Sequence, residues 1–128
     1  TAVEAALAMG GGFLHVGHNR RFAPLAAKAK AALQPGVQRH MVVTVNAGVA
    51  PAPAGGRFVG EAGHWIDLCA FFADVVVSKV CAMDSADGGS TILQLMFADG
   101  STASTQYLTA GSARYEKERI EIHSAGTT

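Results

Sequence analysis

An α+β fold, with helices on one face of a mainly antiparallel open sheet, is what this sequence predicts, and three observations predict it. Trp65, Leu68, Cys69 and Phe72 fall at i, i+3, i+4 and i+7, the stripe of a helix with one buried face. Strand-like segments outnumber helical ones and crowd into the C-terminal half, where Asp99-Gly100 separates two of them in the manner of a hairpin turn. The order strand, helix, strand, helix and then a run of strands separates helices and sheet into two layers.

Taken in order, residues 2–9 are good helix formers, and the glycines at 10, 11 and 12 stop them, so the segment reads as the last turns of a longer helix. Residues 13–16 form a short apolar run before the polar group His18, Asn19, Arg20 and Arg21, which predicts a strand ending in a loop. Pro24 suits a first helical turn, and the alanine-rich stretch 25–33 is a helix that Pro35-Gly36 terminates. Over 39–46 the period is two, with Met41, Val43 and Val45 on one face. The Pro, Ala and Gly segment 47–56 is a loop, and the helix bearing the Trp65 stripe spans about 61–72. Strands are expected at 75–83, 91–97, 102–108 and 118–123.

At 128 residues the chain is the size of one domain, with neither internal repeat nor low-complexity segment. Lys plus Arg and Asp plus Glu balance at 10 each, which gives no field to draw nucleic acid or an acidic membrane surface. No apolar run approaches the ~20 residues of a membrane helix, and the first residues lack the basic start and apolar middle expected of a signal peptide. Cys69 and Cys81 lack CxxC spacing and read as reduced thiols of a cytoplasmic protein. His15 and His18 would point to opposite faces of a strand and no third ligand is placed, so no metal site is expected.

The segment Gly55-Gly56-Arg57-Phe58-Val59-Gly60-Glu61-Ala62-Gly63-His64-Trp65-Ile66-Asp67-Leu68 is the richest in chemistry. Glu61, His64 and Asp67 recur every three residues, so one helical ridge carries all three and a carboxylate can orient the imidazole. Imidazole, with an ordinary pKa of about 6.5, suits proton exchange with a substrate hydroxyl. The helix follows a glycine-rich loop, and its early N–H groups are open to a substrate oxygen. The same pattern also fits a core-edge histidine bonded to a backbone carbonyl. Asn19, Arg20 and Arg21 read equally as cleft residues, where Arg clamps phosphate or carboxylate, and as a solvated strand end. Tyr107 and Lys117 fit cross-strand packing and a solvated end, and Met83, Met96 and Phe97 fit core or interface.

The glycine-rich, histidine-bearing segment resembles a motif in the C-terminal domain of the Gfo/Idh/MocA oxidoreductases, the family of glucose–fructose oxidoreductase and inositol dehydrogenase. Val16-Gly17-His18-Asn19-Arg20-Arg21-Phe22-Ala23-Pro24 is similar to the junction by which that family leaves its dinucleotide-binding domain. Val45-Asn46-Ala47-Gly48, Phe97-Ala98-Asp99-Gly100-Ser101 and Lys117-Glu118-Arg119-Ile120-Glu121-Ile122 match in the family's order.

The resemblance implies a sugar, inositol or nucleotide-sugar oxidoreductase using NAD or NADP, with His64 as the catalytic residue beside the nicotinamide. It makes Glu61, Asn19, Arg20 and Asp67 substrate-side residues, Asp67 chiefly as an orienting one. The family's aspartate four residues before the histidine is here Gly60, and a Gly-Glu arrangement like that of sugar-nucleotide members puts Glu61 nearby. The loop 49–55 is shorter than in those members. No GxGxxG follows a strand and no Glu-Lys-Pro motif is present, both features of the family's N-terminal half. The expectation is therefore a fragment: residues 1–23 the end of the dinucleotide-binding domain and the crossover, residues 24–128 the substrate and dimerisation domain, truncated at its end. Alone it should be inactive and bind no cofactor. The alternative is a non-catalytic homodimerisation module that buries the face Thr91, Leu93, Leu95 and Phe97 against a second copy.

Overall fold

The computed structural model describes residues 2–10, 15–48 and 56–128, together with the side chains of these segments other than those of residues 2, 3, 6 and 56–60. The expected loop at 49–55, the start of the expected strand at 13–14 and the glycines at 11 and 12 lie outside the described residues. Helix α1 (Ala2–Ala8) ends as Gly10 turns left-handed at φ 70°. A 3-10 helix, Asn19–Phe22, leads into α2 (Pro24–Ala32), with proline in its first turn as the sequence requires. Strand β1 (His40–Asn46) precedes the long helix α3 (Gly56–Ala73), and β2 (Val77–Asp84), β3 (Thr91–Phe97), β4 (Thr102–Leu108) and β5 (Glu118–His123) complete the order.

The five strands form one sheet in the order β2-β3-β4-β1-β5. Only β1 and β4 run parallel, His40 opposite Thr102 through Asn46 opposite Leu108, and the other three pairings are antiparallel. The α+β fold with a mainly antiparallel sheet is therefore the one observed. Asp99-Gly100 makes the expected β3–β4 turn: Gly100 sits at φ 85°, and the Ser101 amide donates to Asp99 Oδ1 at 2.9 Å.

The predicted stripe of α3 lies against the sheet. Trp65, Leu68, Cys69 and Phe72 are buried with Met41, Val43 and Val45 of β1, Leu95 and Phe97 of β3, and Ala103 and Tyr107 of β4. Ala26, Ala29 and Leu33 of α2 pack on the same core. Burying an aliphatic or aromatic side chain of this kind stabilises by about 1.5–3 kcal/mol, so this single layer of contacts carries the fold.

Three expectations are corrected. Helix α3 starts at Gly56, not near residue 61, because packing of its stripe draws the glycine-rich stretch into the helix despite poor propensity. Its open N-terminal amides thus belong to the turn before Glu61, not to the ridge of Glu61, His64 and Asp67. Residues 15–16 form no strand; His18 and the 3-10 helix 19–22 lie against α3, pinned there by side chains described below. Finally, Thr91, Leu93, Leu95 and Phe97 face the helices, only 6, 5, 2 and 1% exposed. The register explains it, since Leu95 pairs with Ala103 and Ala103 with Met41, all on the side α3 covers. The uncovered face carries the alternate residues, among them Ile92, Gln94 and Met96. No helix among the described residues is long and apolar enough to cross a membrane.

Candidate functional site

Helical spacing puts Glu61, His64 and Asp67 on one ridge of α3, beside the stripe that anchors the helix to the sheet. All three are half-buried. The orienting carboxylate expected for His64 is not formed. Asp67 is committed to Arg21, whose Nε donates to Oδ2 at 2.9 Å while Nη2 donates to Oδ1. That hydrogen bond, above all, raises the Arg21 pKa from its ordinary value. Glu61 has no hydrogen bond or ion pair with His64. Asp67 is thus an orienting group, and what it orients is the 3-10 helix.

Arg20 is held as firmly. Its Nη1 and Nη2 donate to Glu118 of β5 at 2.6 and 2.8 Å, a two-pronged pairing that fixes the guanidinium plane. The same guanidinium lies 3.7 Å from the centroid of the Trp65 ring, where the negative π face attracts it. Two successive arginines therefore clamp residues 19–22 to α3 on one side and to β5 on the other. The structure gives Arg20 protein partners for the donors that a substrate was expected to take. Asn19, beside it, is exposed.

The clamp brings up a residue that the sequence pattern does not single out for this site. His18 packs its ring edge-on against His64, with centroids 5.3 Å apart and planes at 85°. Glycine at residue 63 leaves room for the approach: a Cβ there would lie 3.1 Å from His18 Cε1, and the ring would have to give by a few tenths of an ångström. Both Nδ1 atoms are enclosed and have no hydrogen-bond partner. Nε2 of His64 is not among the enclosed, unbonded atoms. A glycine inside a helix costs about 1 kcal/mol relative to alanine, and this is the signal that marks a close approach at Gly63.

A largely apolar cavity of about 390 Å³ opens between α2, α3 and β5, lined by Leu25, Trp65, Phe72, Ile120 and Ile122, with Arg20 and Glu118 at its edge. His64 and His18 are not among its walls. The imidazole of His64 is thus placed neither in the core nor in this cavity, but on the ridge beside the docked 3-10 helix. Among the described residues no group of three His, Cys, Asp or Glu side chains is placed to hold a metal ion.

No family model matches the chain, and no curated protein sequence matches it. Solved structures do. A candidate myo-inositol dehydrogenase from Sinorhizobium meliloti 1021 superposes with a TM-score of 0.74 at 24% identity, over 98% of this chain and 44% of that one. The UDP-N-acetylglucosamine 3-dehydrogenase GnnA of Acidithiobacillus ferrooxidans gives 0.69 at 18% identity, over 85% of this chain and 37% of its own. A levoglucosan dehydrogenase solved with NADH and levoglucosan gives 0.62 at 19%, over 84% and 37%. The chain spans less than half the length of each. At these identities the likeness is one of fold: the chain has the α+β fold found in dehydrogenases of the Gfo/Idh/MocA type.

Proposed function

We propose that the chain is the substrate-side domain of an NAD(P)-dependent oxidoreductase that acts on a secondary alcohol of a sugar, an inositol or a nucleotide-sugar. Residues 24–128 form that domain, residues 1–23 join it to the cofactor-binding half, and the intact protein works in the cytoplasm. The observation that carries this reading is His64. Its ring sits on a rigid helix with one nitrogen turned in and the other turned out, on the ridge that also bears Glu61.

No GxGxxG follows a strand in this sequence, so the dinucleotide is assigned to the cofactor-binding half of the intact protein. What this chain supplies is placement of the alcohol. His64 Nε2 meets the substrate oxygen as its hydrogen-bond partner; Glu61 and Asn19 are polar groups at the rim for neighbouring hydroxyls. Arg20 and Asp67 act one step back, keeping the 3-10 helix against α3.

The test is the protein encoded by the whole reading frame, assayed for NAD⁺ and NADP⁺ reduction with myo-inositol, levoglucosan and UDP-N-acetylglucosamine. His64→Ala should lower kcat/KM by about 100-fold, as loss of one hydrogen-bond donor to the reacting oxygen does. Unchanged turnover in that variant ends the catalytic assignment. Residues 1–128 alone should show no turnover.

A second reading, assembly, is favoured by the uncovered sheet face. Its centre, over β3, β4 and β1, carries Ile92, Gln94, Met96, Ser104, Gln106 and Val42 and no Asp, Glu, Lys or Arg, the charge depletion typical of an interface core. Lys79 stands at the β2 edge of this face, and at the β5 edge Glu121 is ion-paired with Arg119 at 2.7 Å. A two-fold axis along the strands lays this uncharged centre on its own copy, so a second copy is the occupant that fits it. Sedimentation should show a concentration-dependent dimer that Met96→Glu dissolves; a monomer at all concentrations rejects it.

A further inference from the structure

His18 is the one group at this site that the chemistry proposed above leaves without a task. It is carried to α3 by a distant segment that two arginine clamps hold down. Its ring touches His64 edge-on, and the absent side chain of Gly63 makes the room. Glycine is the poorest helix former after proline, so the helix gives up propensity at the position where His18 lands.

A neutral imidazole has a single N–H, and the surroundings decide which nitrogen carries it. On Nδ1 of His64 that hydrogen would be enclosed with nothing to accept it. On Nε2 it reaches outward. No carboxylate holds the enclosed side of the ring, since Nδ1 is unbonded and Asp67 is taken by Arg21. Among the described residues the ring packed on His64 is that of His18, whose own Nδ1 is likewise enclosed and unbonded. The contact is therefore one of ring against ring and not of hydrogen bonding.

We infer that His18 is a positioning residue for His64: its ring holds His64 with Nδ1 inward as a bare acceptor and Nε2–H outward as the donor presented to a substrate oxygen. The functional half of this inference rests on the reading of His64 given above; the state of the ring does not.

Two measurements test it. Long-range ¹H–¹⁵N spectra of the histidine rings in the 128-residue chain should show the Nε2–H form of His64 in the native sequence and in His18→Phe, which keeps a ring at that place. His18→Ala should give a mixture of tautomers. In the whole protein, assayed with whichever of the three alcohols it oxidises, His18→Ala should lower kcat by about tenfold with KM changed less than about twofold, and His18→Phe should restore it. Gly63→Ala should also lower kcat, by shifting the His18 ring by a few tenths of an ångström, and have a smaller effect in the His18→Ala background, where the ring that the methyl group would crowd is gone.

If His18→Ala leaves the tautomer of His64 unchanged, or if His18→Phe fails as badly as His18→Ala, the inference is overturned. Should His18→Ala not fold, Gly63→Ala decides the question: a native tautomer and a native kcat in that variant overturn the inference, and a lowered kcat with mixed tautomers supports it. A His64→Ala protein with full turnover rejects the catalytic reading instead, and leaves the ring measurement to stand or fall by itself.

Discussion

Replacing Arg39 by methionine tests how α3, the helix that carries His64, is fastened at its far end. Arg39 is 4% exposed. Its Nη1 donates to the Phe72 and Ala73 carbonyls at 2.5 and 2.8 Å, two of the acceptors that the end of α3 leaves without an intrahelical donor. Nη2 donates to the Gln34 carbonyl at 2.9 Å, beyond the end of α2. One cation thus closes the negative end of one helix and ties it to the exit of another. A hydrogen bond to a charged group contributes about 1.5–3 kcal/mol net, but three on one guanidinium are not additive, and carbonyls freed at a helix end rehydrate in part. The expected loss for Arg39→Met is about 4 kcal/mol, a large share of the ~5–15 kcal/mol that stabilises a domain. In urea, with a slope of ~2 kcal/mol/M, the midpoint should fall by about 2 M. Arg39→Lys keeps the charge but not the fork and should lose about half as much. A Met variant within ~1 kcal/mol of the native chain would refute the argument, and a Lys variant equal to native would show that charge alone, not the fork, closes the helix.

Further outcomes follow from the same geometry. Leu95→Ala should cost about 2–5 kcal/mol and Met96→Ala less than ~0.5 in the monomer, since the first is 2% and the second 48% exposed; equal costs in urea melts would undo the assignment of the sheet faces. Cys81 should react with a thiol reagent in the native chain and Cys69 only on unfolding, because burial pushes the Cys69 thiol up to about 11. With its folded pKa raised, Cys69 contributes stability that is complete below the unfolded value near 9.0 and declines as pH rises toward 11, by an amount on the order of 2 kcal/mol; alkaline melts of native and Cys69→Ala chains should converge over that window. Arg20→Ala should cost about 1–2 kcal/mol and change the emission of Trp65, the sole tryptophan, by uncovering its ring face; an unaltered spectrum would mean that the stack does not persist in solution.

Where side-chain periodicity decides structure, the sequence is readable. Strands β3, β4 and β5 fall where alternation and the Asp99-Gly100 turn place them, because each half-buried strand needs one apolar face. The α3 stripe is legible for the same reason. Alternation says which residues share a face but not which face the helices cover. That choice is made by the parallel pairing of β1 with β4, a contact between segments separated by all of α3, β2 and β3. Leu93 and Leu95 therefore do share a face, as alternation requires, but it is the covered face and not one open to a second copy. Arg39 reads simply as the start of a strand, since nothing local shows that its side chain will end under two helix termini.

The site is half legible for a related reason. Spacing on a helix fixes the ridge of Glu61, His64 and Asp67, but a ridge gives neighbours without assigning partners. Each partner is supplied by residues 18–21, far away along the chain: Arg21 takes Asp67, Arg20 takes Glu118 and covers Trp65, and His18 takes His64. Charge explains the first two, because an arginine fork pairs with a carboxylate more strongly than a neutral imidazole does. Once Asp67 is removed from competition, His64 is oriented by shape, through a neighbouring ring and a missing methyl group at Gly63. The two features that look weakest in the sequence, a histidine with no metal partners and a glycine inside a helix, are the ones that meet at the candidate catalytic group.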